Sequence, residues 1–262
     1  RCPLCAFSRD PGDPGAYVLA QDHLLERCDE AVREGCTEIH IVGGLHPDHD
    51  YSWYRNILHS LKTAYPNVHL KAWTAAEIAY FAELERTSVE DVLRDMVDAG
   101  LGSLPGGGAE IFASRVRKRI APRKIDATAW LDVHRTAHAL GLRSNATMLF
   151  GHLESPEDIV DHLASLRDLQ DSTGLFGAFV ALPFHAEGTH LEIDRGPAGH
   201  TIARTVALAR IFLDNFPHVR VLANYLDRKL LGVLLSGGAD DAGGTSLDER
   251  IAKAAGAPDA QK

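Results

Sequence analysis

The sequence predicts an α/β protein of the TIM-like (β/α) barrel kind, with its strands parallel. Three observations carry that expectation. Short β-type runs alternate with amphipathic helical patterns along almost the whole chain, and such β–α–β units close as right-handed crossovers on a parallel sheet. The 262 residues match the roughly 250 that a barrel of this kind takes. No linker rich in Pro, Gly or Ser divides the chain, so residues 1–262 read as a single domain.

Residues 37–42 (TEIHIV) form the first strand of this reading and stop at Gly43 and Gly44. Trp53, Ile57, Leu58, Leu61 and Tyr65 then recur at helical spacing, and residues 68–73 (VHLKAW) supply the next strand. Ser88 with Asp91 is a capping-box signal. The helix it opens carries Val89, Val92, Leu93, Met96 and Val97 on one stripe and leaves at Gly100. Residues 101–104 are a short strand running into Pro105, Gly106, Gly107 and Gly108. A helix over 128–140 stops at Gly141, and residues 144–150 (SNATMLF) make the strand after it. Ser155-Pro156-Glu157-Asp158 is a strong helix start: a capping hydroxyl, a proline at the first helical position and acids that complement the helix dipole. That helix runs through Ile159, Leu163 and Leu166 to Gly174. Residues 176–182 read as a strand, 201–216 as a helix, 219–223 as a strand and 237–244 (GGADDAGG) as a late loop. Chemistry in such barrels sits at the C-terminal ends of the strands, which selects residues 43–46, 74–77, 106–110, 145–152 and 183–185.

Composition narrows the function. With 45% hydrophobic and 24% charged residues, the chain is neither disordered nor collagen-like. Thirty-six Asp plus Glu against 27 Lys plus Arg leave a formal charge of −9, so nucleic acid is not an expected partner. No apolar run reaches the ~18 residues that cross a bilayer, and no membrane partner is expected. Four cysteines are too few for a disulfide scaffold, which points to a reducing, cytoplasmic setting. The chain opens at Arg1-Cys2 with no initiator Met, apolar signal core or cleavage pattern, and is expected to be a fragment.

Several residue groups can carry chemistry. Cys2 and Cys5 stand at C-x2-C spacing, suited to a soft metal or an iron–sulfur cluster; two cysteines in a loose chain end is the other reading. Cys28 and Cys36 are spaced wrongly for a second zinc knuckle and read as small buried residues. Gly43 and Gly44 let a ligand approach the backbone. Three consecutive glycines, Gly106 to Gly108, cost conformational entropy and bring no packing, so they read as room for something bulky, with a plain flexible loop as the alternative. Among fourteen histidines, His46 with His49 and His134 with His138 are candidate metal pairs. No Glu follows His134 as the zinc-protease pattern requires, and no H-x-H stands on the first strand. A metal-dependent barrel hydrolase is therefore the runner-up class.

Taken together, these pieces resemble the radical S-adenosylmethionine enzymes of the menaquinone (futalosine) pathway. Cys2-Pro3-Leu4-Cys5 resembles the last two cysteines of the signature C-x3-C-x2-C, whose first cysteine would fall upstream, separated from Arg1 by two residues; the first barrel strand would be missing with it. The likeness extends through 6–9 (AFSR), 40–48 (HIVGGLHPD), 103–112 (SLPGGGAEIF), 134–152 (HRTAHALGLRSNATMLFGH), 167–179 (RDLQDSTGLFGAF), 213–218 (LDNFPH) and 237–245 (GGADDAGGT). HIVGGLHP, LRSNATML and LPFH with Glu187 and Thr189 resemble the aminofutalosine synthases more than their sisters, the cyclic dehypoxanthine futalosine synthases. Leu4, Ala186, Gly188 and the 224–229 segment depart from the family pattern.

The resemblance implies a [4Fe–4S] cluster on three cysteines, Cys2 and Cys5 among them, with S-adenosylmethionine on the fourth iron. It implies an electron donor of flavodoxin or ferredoxin type. The 5′-deoxyadenosyl radical would add to the enolpyruvyl double bond of a small aromatic carboxylate, 3-[(1-carboxyvinyl)oxy]benzoate, and loss of carboxylate would leave aminofutalosine. Gly43 and Gly44 would offer backbone to the methionine amine. Gly106, Gly107 and Gly108 would make space for adenosine, and Glu110 would meet the ribose or the amine. Asn145 counts among the cofactor contacts and, with Arg143 and His152, is a candidate to hold substrate carboxylates; His185 would do likewise or move a proton.

Overall fold

The computed structural model describes residues 2–245 and 250–258. Seven strands form one parallel sheet in sequence order: β1 (Glu38–Ile41), β2 (His69–Ala72), β3 (Ser103–Leu104), β4 (Arg143–Phe150), β5 (Phe176–Pro183), β6 (His218–Leu222) and β7 (Asp241–Gly243). Helices separate them: α1 (Gln21–Arg33), α2 (Tyr51–Ala64), α3 (Ala75–Glu85), α4 (Val89–Asp98), α5 (Ser114–Ile120), α6 (Ala127–Ala139), α7 (Pro156–Thr173), α8 (Gly199–Phe212), α9 (Arg228–Ser236) and α10 (Ile251–Ala254). This is the wound, parallel β/α architecture expected of the sequence, because each crossover returns beside the strand it left. The residues divide into two compact units: Arg9–Pro105 with Ala129–Ser144, and Arg1–Ser8 with Gly106–Thr128 and Asn145–Lys262.

The unit that holds β1, β2 and β3 is built on capped helices over an aromatic core. The Asp50 carboxylate caps α2 by accepting from Trp53 N at 3.0 Å, and Ser88 caps α4 by accepting from Asp91 N. Thr74 and Glu77 form a full capping box at the start of α3. Leu58, Leu61, Leu70, Ile78 and Phe81 are fully buried, each stabilising the fold by roughly 2 kcal/mol, and Phe81 lies 4.6 Å from Tyr54. His134 and His138, open as a metal pair in the sequence, instead clasp one hydroxyl: His134 Nδ1 and His138 Nε2 each lie 2.8 Å from Ser144 Oγ. Both rings are buried. Burial pushes the His138 pKa down to about 4 and likewise holds that of His134 well below the ordinary imidazole value, so these are neutral core groups.

In the second unit, α7 begins and ends as the sequence predicts. Ser155 and Asp158 form the capping box, Pro156 occupies the first turn, and Gly174 ends the helix in the left-handed region at φ 67°. Two expectations need correction. The helix read over 201–216 is α8, which stops at Phe212. Pro217 disfavours helical backbone at Phe216, which leaves the helix and stacks on Phe176 with ring centroids 5.4 Å apart. The loop read over 237–244 ends in β7, a strand of Asp, Ala and Gly that intrinsic preference does not favour. Its parallel ladder to β6 and the Arg220–Asp241 ion pair at 2.6 Å hold it.

Candidate active site

The cysteine loop is not a loose end. Cys5 N donates to Cys2 O at 3.0 Å, Ser8 N to Cys5 O at 3.2 Å, and Cys2 N to Ser8 Oγ at 3.4 Å, which folds the segment into consecutive turns. Two further bonds moor it: Leu4 N to Ile120 O at the end of α5, 3.2 Å, and His190 N to Pro3 O, 2.8 Å. The Cys2 thiol points at the same Ile120 carbonyl, 3.6 Å away. Both cysteines are half-buried and carry free thiols. Burial raises the Cys2 pKa, and the positive charge of Lys124 works against that rise. Two uncrosslinked soft donors on one ordered turn fit two thiolate positions of an iron–sulfur cluster.

Beside this loop, residues 108–111 wrap around Arg117. Its guanidinium donates to the carbonyls of Gly108 (3.2 Å), Ala109, Ile111 (3.3 Å) and Ile125. That curl turns Glu110 into the left-handed region at φ 48°, a conformation costing a non-glycine residue about 1 kcal/mol or more. Its carbonyl accepts from Leu149 N at 2.8 Å, and its carboxylate meets Lys124 Nζ at 2.5 Å. Burial by itself would raise the Glu110 pKa; Lys124 first, then Arg117 and His152, hold it below the usual carboxylate range. Burial opposes the charge on Lys124, but Glu110 and the cysteines beyond it keep the amine firmly protonated.

The triple-glycine loop corrects an expectation. A Cβ on Gly106 would lie 2.7 Å from Asn145 O and 2.8 Å from the Ala146 carbonyl carbon. The glycine therefore makes room for the backbone of β4, not for a ligand, and Thr147 Oγ1 ties the loop down by donating to Gly106 O at 2.6 Å. Gly107 is half-buried, and Gly108 takes a positive φ of 86°. Gly43 and Gly44 differ. The Gly43 amide is already used, donating to Glu77 Oε1 at 2.8 Å, while Glu77 Oε2 accepts from Thr74 N and Thr74 Oγ1 at 2.7 Å each. A Cβ on Gly44 would meet nothing within 4 Å. A methionine ammonium is a donor, so carbonyls are what this loop can offer it.

The histidines separate as well. The His152 side chain is fully buried, with Nε2 donating to Leu149 O at 3.0 Å and Nδ1 2.9 Å from Glu154 Oε2. Burial tends to raise the Glu154 pKa, but His152 and the amides of Gly151 and His152 bring it down to about 2. His152 thus closes a turn and does not present a nitrogen to a substrate, contrary to the sequence expectation. His185, just beyond β5, is half-buried; its Nε2 donates to Tyr225 O at 3.1 Å, which leaves Nδ1 as the acceptor nitrogen of the ring. Burial lowers its pKa, so the ring is neutral at pH 7. Asn145 is half-buried inside β4. Arg143 is exposed and opens β4, roughly 23 Å along the strand from Phe150, which is the end opposite the loops expected to carry chemistry. The sequence missed Lys124 and Arg117, whose partners lie on loops they meet only in the folded state. It had a signal for Glu77 in the T-x-x-E spacing of a capping box. Among the described residues no three His, Cys, Asp or Glu side chains gather as a metal site of the hydrolase kind. No described helix is long and apolar enough to cross a membrane.

Residues 1–166 match the Radical SAM superfamily, and the chain belongs to that superfamily. It is accordingly an enzyme of radical chemistry, in a family that works with a [4Fe–4S] cluster and S-adenosylmethionine. Its curated relatives include an aminodeoxyfutalosine synthase of Thermus thermophilus, 43% identical over 99% of this chain and 71% of the relative. A 5-amino-6-(D-ribitylamino)uracil–L-tyrosine 4-hydroxyphenyl transferase of Methanopyrus kandleri is 39% identical over 100% and 72%. A cyclic dehypoxanthine futalosine synthase of Halalkalibacterium halodurans is 35% identical over 97% and 69%. The fold is that of the solved methylornithine synthase, with a TM-score of 0.74 at 14% identity, over 96% of this chain and 71% of that one.

Proposed function

We propose that this enzyme is an aminofutalosine synthase, joining the adenosyl group of S-adenosylmethionine to the enolpyruvyl carbon of 3-[(1-carboxyvinyl)oxy]benzoate with loss of carboxylate, in the cytoplasm. The observation that carries the reading is the 43% identity, across nearly the whole chain, to a relative bearing that activity's name. The moored turn of Cys2 and Cys5 supports it.

Cys2 and Cys5 would hold two irons of the cluster. When bound, the cluster and S-adenosylmethionine supply the adenosyl radical. The chain's own residues bind and shield. The carbonyls of Gly43 and Gly44 accept from the methionine ammonium, with the loop held in place by Glu77 through the Gly43 amide. Gly107 and Asn145, both half-buried, line the approach for the nucleoside. Glu110 is committed to Lys124 and orders the wall beside the cysteines. Neutral His185 accepts a hydrogen bond at Nδ1 from a protonated group or takes up a proton there late in the sequence. Arg143 and His152 take no part in this reading.

Two other activities are carried by relatives of similar identity, so the test is which substrates are accepted and what becomes of the adenosyl group. The protein is reconstituted anaerobically with iron and sulfide, reduced with an external one-electron donor, and given S-adenosylmethionine with the enolpyruvyl benzoate. The expected outcome is an adenosyl adduct. Free 5′-deoxyadenosine with that substrate, or turnover only with L-tyrosine and 5-amino-6-(D-ribitylamino)uracil, would replace the reading. C2A and C5A should abolish iron uptake.

A further inference from the structure

Although acids exceed bases by 36 to 27 in the whole chain, residues 114–124 (SRVRKRIAPRK) hold six cations and no acid. Three of the six are spoken for. Arg117 is spent on carbonyls, Lys124 on Glu110, and Arg115 on Asp158. Lys118, Arg119 and Arg123 are exposed and have no carboxylate partner among the described residues. A helix C-terminus attracts cations through its dipole, which accounts for Lys118 and Arg119 on the last turn of α5. It does not account for Arg123 beyond the helix, or for the missing counter-charges.

The second observation is where this patch lies. Ile120, between Arg119 and Arg123 in the chain, offers the carbonyl that takes the Leu4 amide and faces the Cys2 thiol. The positive surface, without carboxylate partners among the described residues, therefore flanks the residue that moors the cysteine loop. The proposed chemistry starts from a reduced cluster, and the electron that primes it has to enter near the cysteines. Carriers that deliver single electrons meet their partners briefly over small interfaces, where opposite charge does most of the steering.

We propose that Lys118, Arg119 and Arg123 form the docking surface for an acidic one-electron carrier protein, which releases its electron beside the Cys2–Cys5 loop. This rests on the function proposed above. The exchange is balanced within the pair: the carrier is oxidised by one electron, the centre on the cysteines is reduced by one, and no bond is made or broken.

The test is the binding of oxidised flavodoxin, an acidic flavin carrier, to the protein at low and high salt, read by flavin anisotropy. K118E/R119E/R123E should weaken binding at low salt by at least about tenfold and flatten its salt dependence. R86E/R204E/K229E, an equal charge change on exposed sites elsewhere, should leave both unchanged. In iron-loaded protein the rate of reduction by flavodoxin hydroquinone should fall in step, while reduction by dithionite stays the same. K118Q/R119Q/R123Q should show an intermediate loss, which serves if the Glu variant folds poorly. Binding needs no iron, so a chain that binds flavodoxin through these residues but never takes up iron would sink the functional assignment and not the docking surface. Unaltered binding in the Glu and Gln variants, or an equal loss in the control, overturns the docking surface.

Discussion

Two buried glutamates stand beside two glycine loops, and they are satisfied in different ways. Glu77, 2% exposed, spends its carboxylate on neutral donors: the amides of Gly43 and Thr74 and the Thr74 hydroxyl. Glu110, 8% exposed, is held by the charge of Lys124 and sits in a left-handed backbone turn. The glycines differ in the same sense. Gly44 faces open space, whereas Gly106 is pressed against the backbone of β4. One corner is a local cap with an accessible loop; the other is a tightly packed joint between chain segments. The lesson is that a glycine run marks a close approach without saying to what, and that a buried carboxylate is informative only with its partner.

The largest effect should come from breaking the charged corner. K124M leaves Glu110 buried without its counter-charge and should cost about 3 kcal/mol, measured by urea unfolding, while T74V, which removes one neutral donor from Glu77, should cost about 1 kcal/mol. Equal losses would erase the distinction.

Acid comes next. Because the folded His138 pKa is depressed from 6.5 to about 4, the unfolded chain binds more protons below pH 6.5. Stability present above that value is therefore lost as pH falls, by roughly 3 kcal/mol on reaching pH 4. The depressed pKa of Glu110 acts at lower pH, its contribution being fully present above about 4.5 and lost below. H138Q should shrink the first phase of an acid titration, leaving the share of His134, and K124M should shrink the second, leaving that of Glu154.

The glycines sharpen the contrast at smaller magnitude. G106A should cost roughly 2 kcal/mol, since a methyl would overlap main chain that cannot swing away, whereas G44A should change stability by less than about 0.5 kcal/mol. Weakened S-adenosylmethionine binding in a fully stable G44A would place the ligand at that loop; unchanged binding would remove it. The smallest effect is a local one: S155A, which loses the cap of α7, should cost about 1 kcal/mol and leave both corners intact.

What could be read from the chain follows from the range of the interactions. The starts of α4 and α7, and the exit of α7 at Gly174, are set by side chains within three or four residues, and each stands where the sequence put it. The same holds for the paired cysteines, because C-x2-C spacing is itself a local geometry. The end of α8 falls short of the apolar pattern, which Phe216 continues for the sake of its contact with Phe176 although Pro217 marks a stop. β7 carries no preference of its own and exists through its ladder to β6. His152 could not be told from a catalytic histidine until Glu154 and the Leu149 carbonyl were seen to occupy it.

The order of strands and helices, the parallel architecture and the thiol pair were determined by the sequence alone, because periodicity, caps and short spacings are written along the chain. Only the tertiary structure decided that Lys124 answers Glu110, that Gly106 yields space to β4, and that Lys118, Arg119 and Arg123, near the cysteine loop, have no counter-charge among the described residues. Those outcomes depend on which distant segments meet, and burial and charge act on a side chain only once that meeting has taken place.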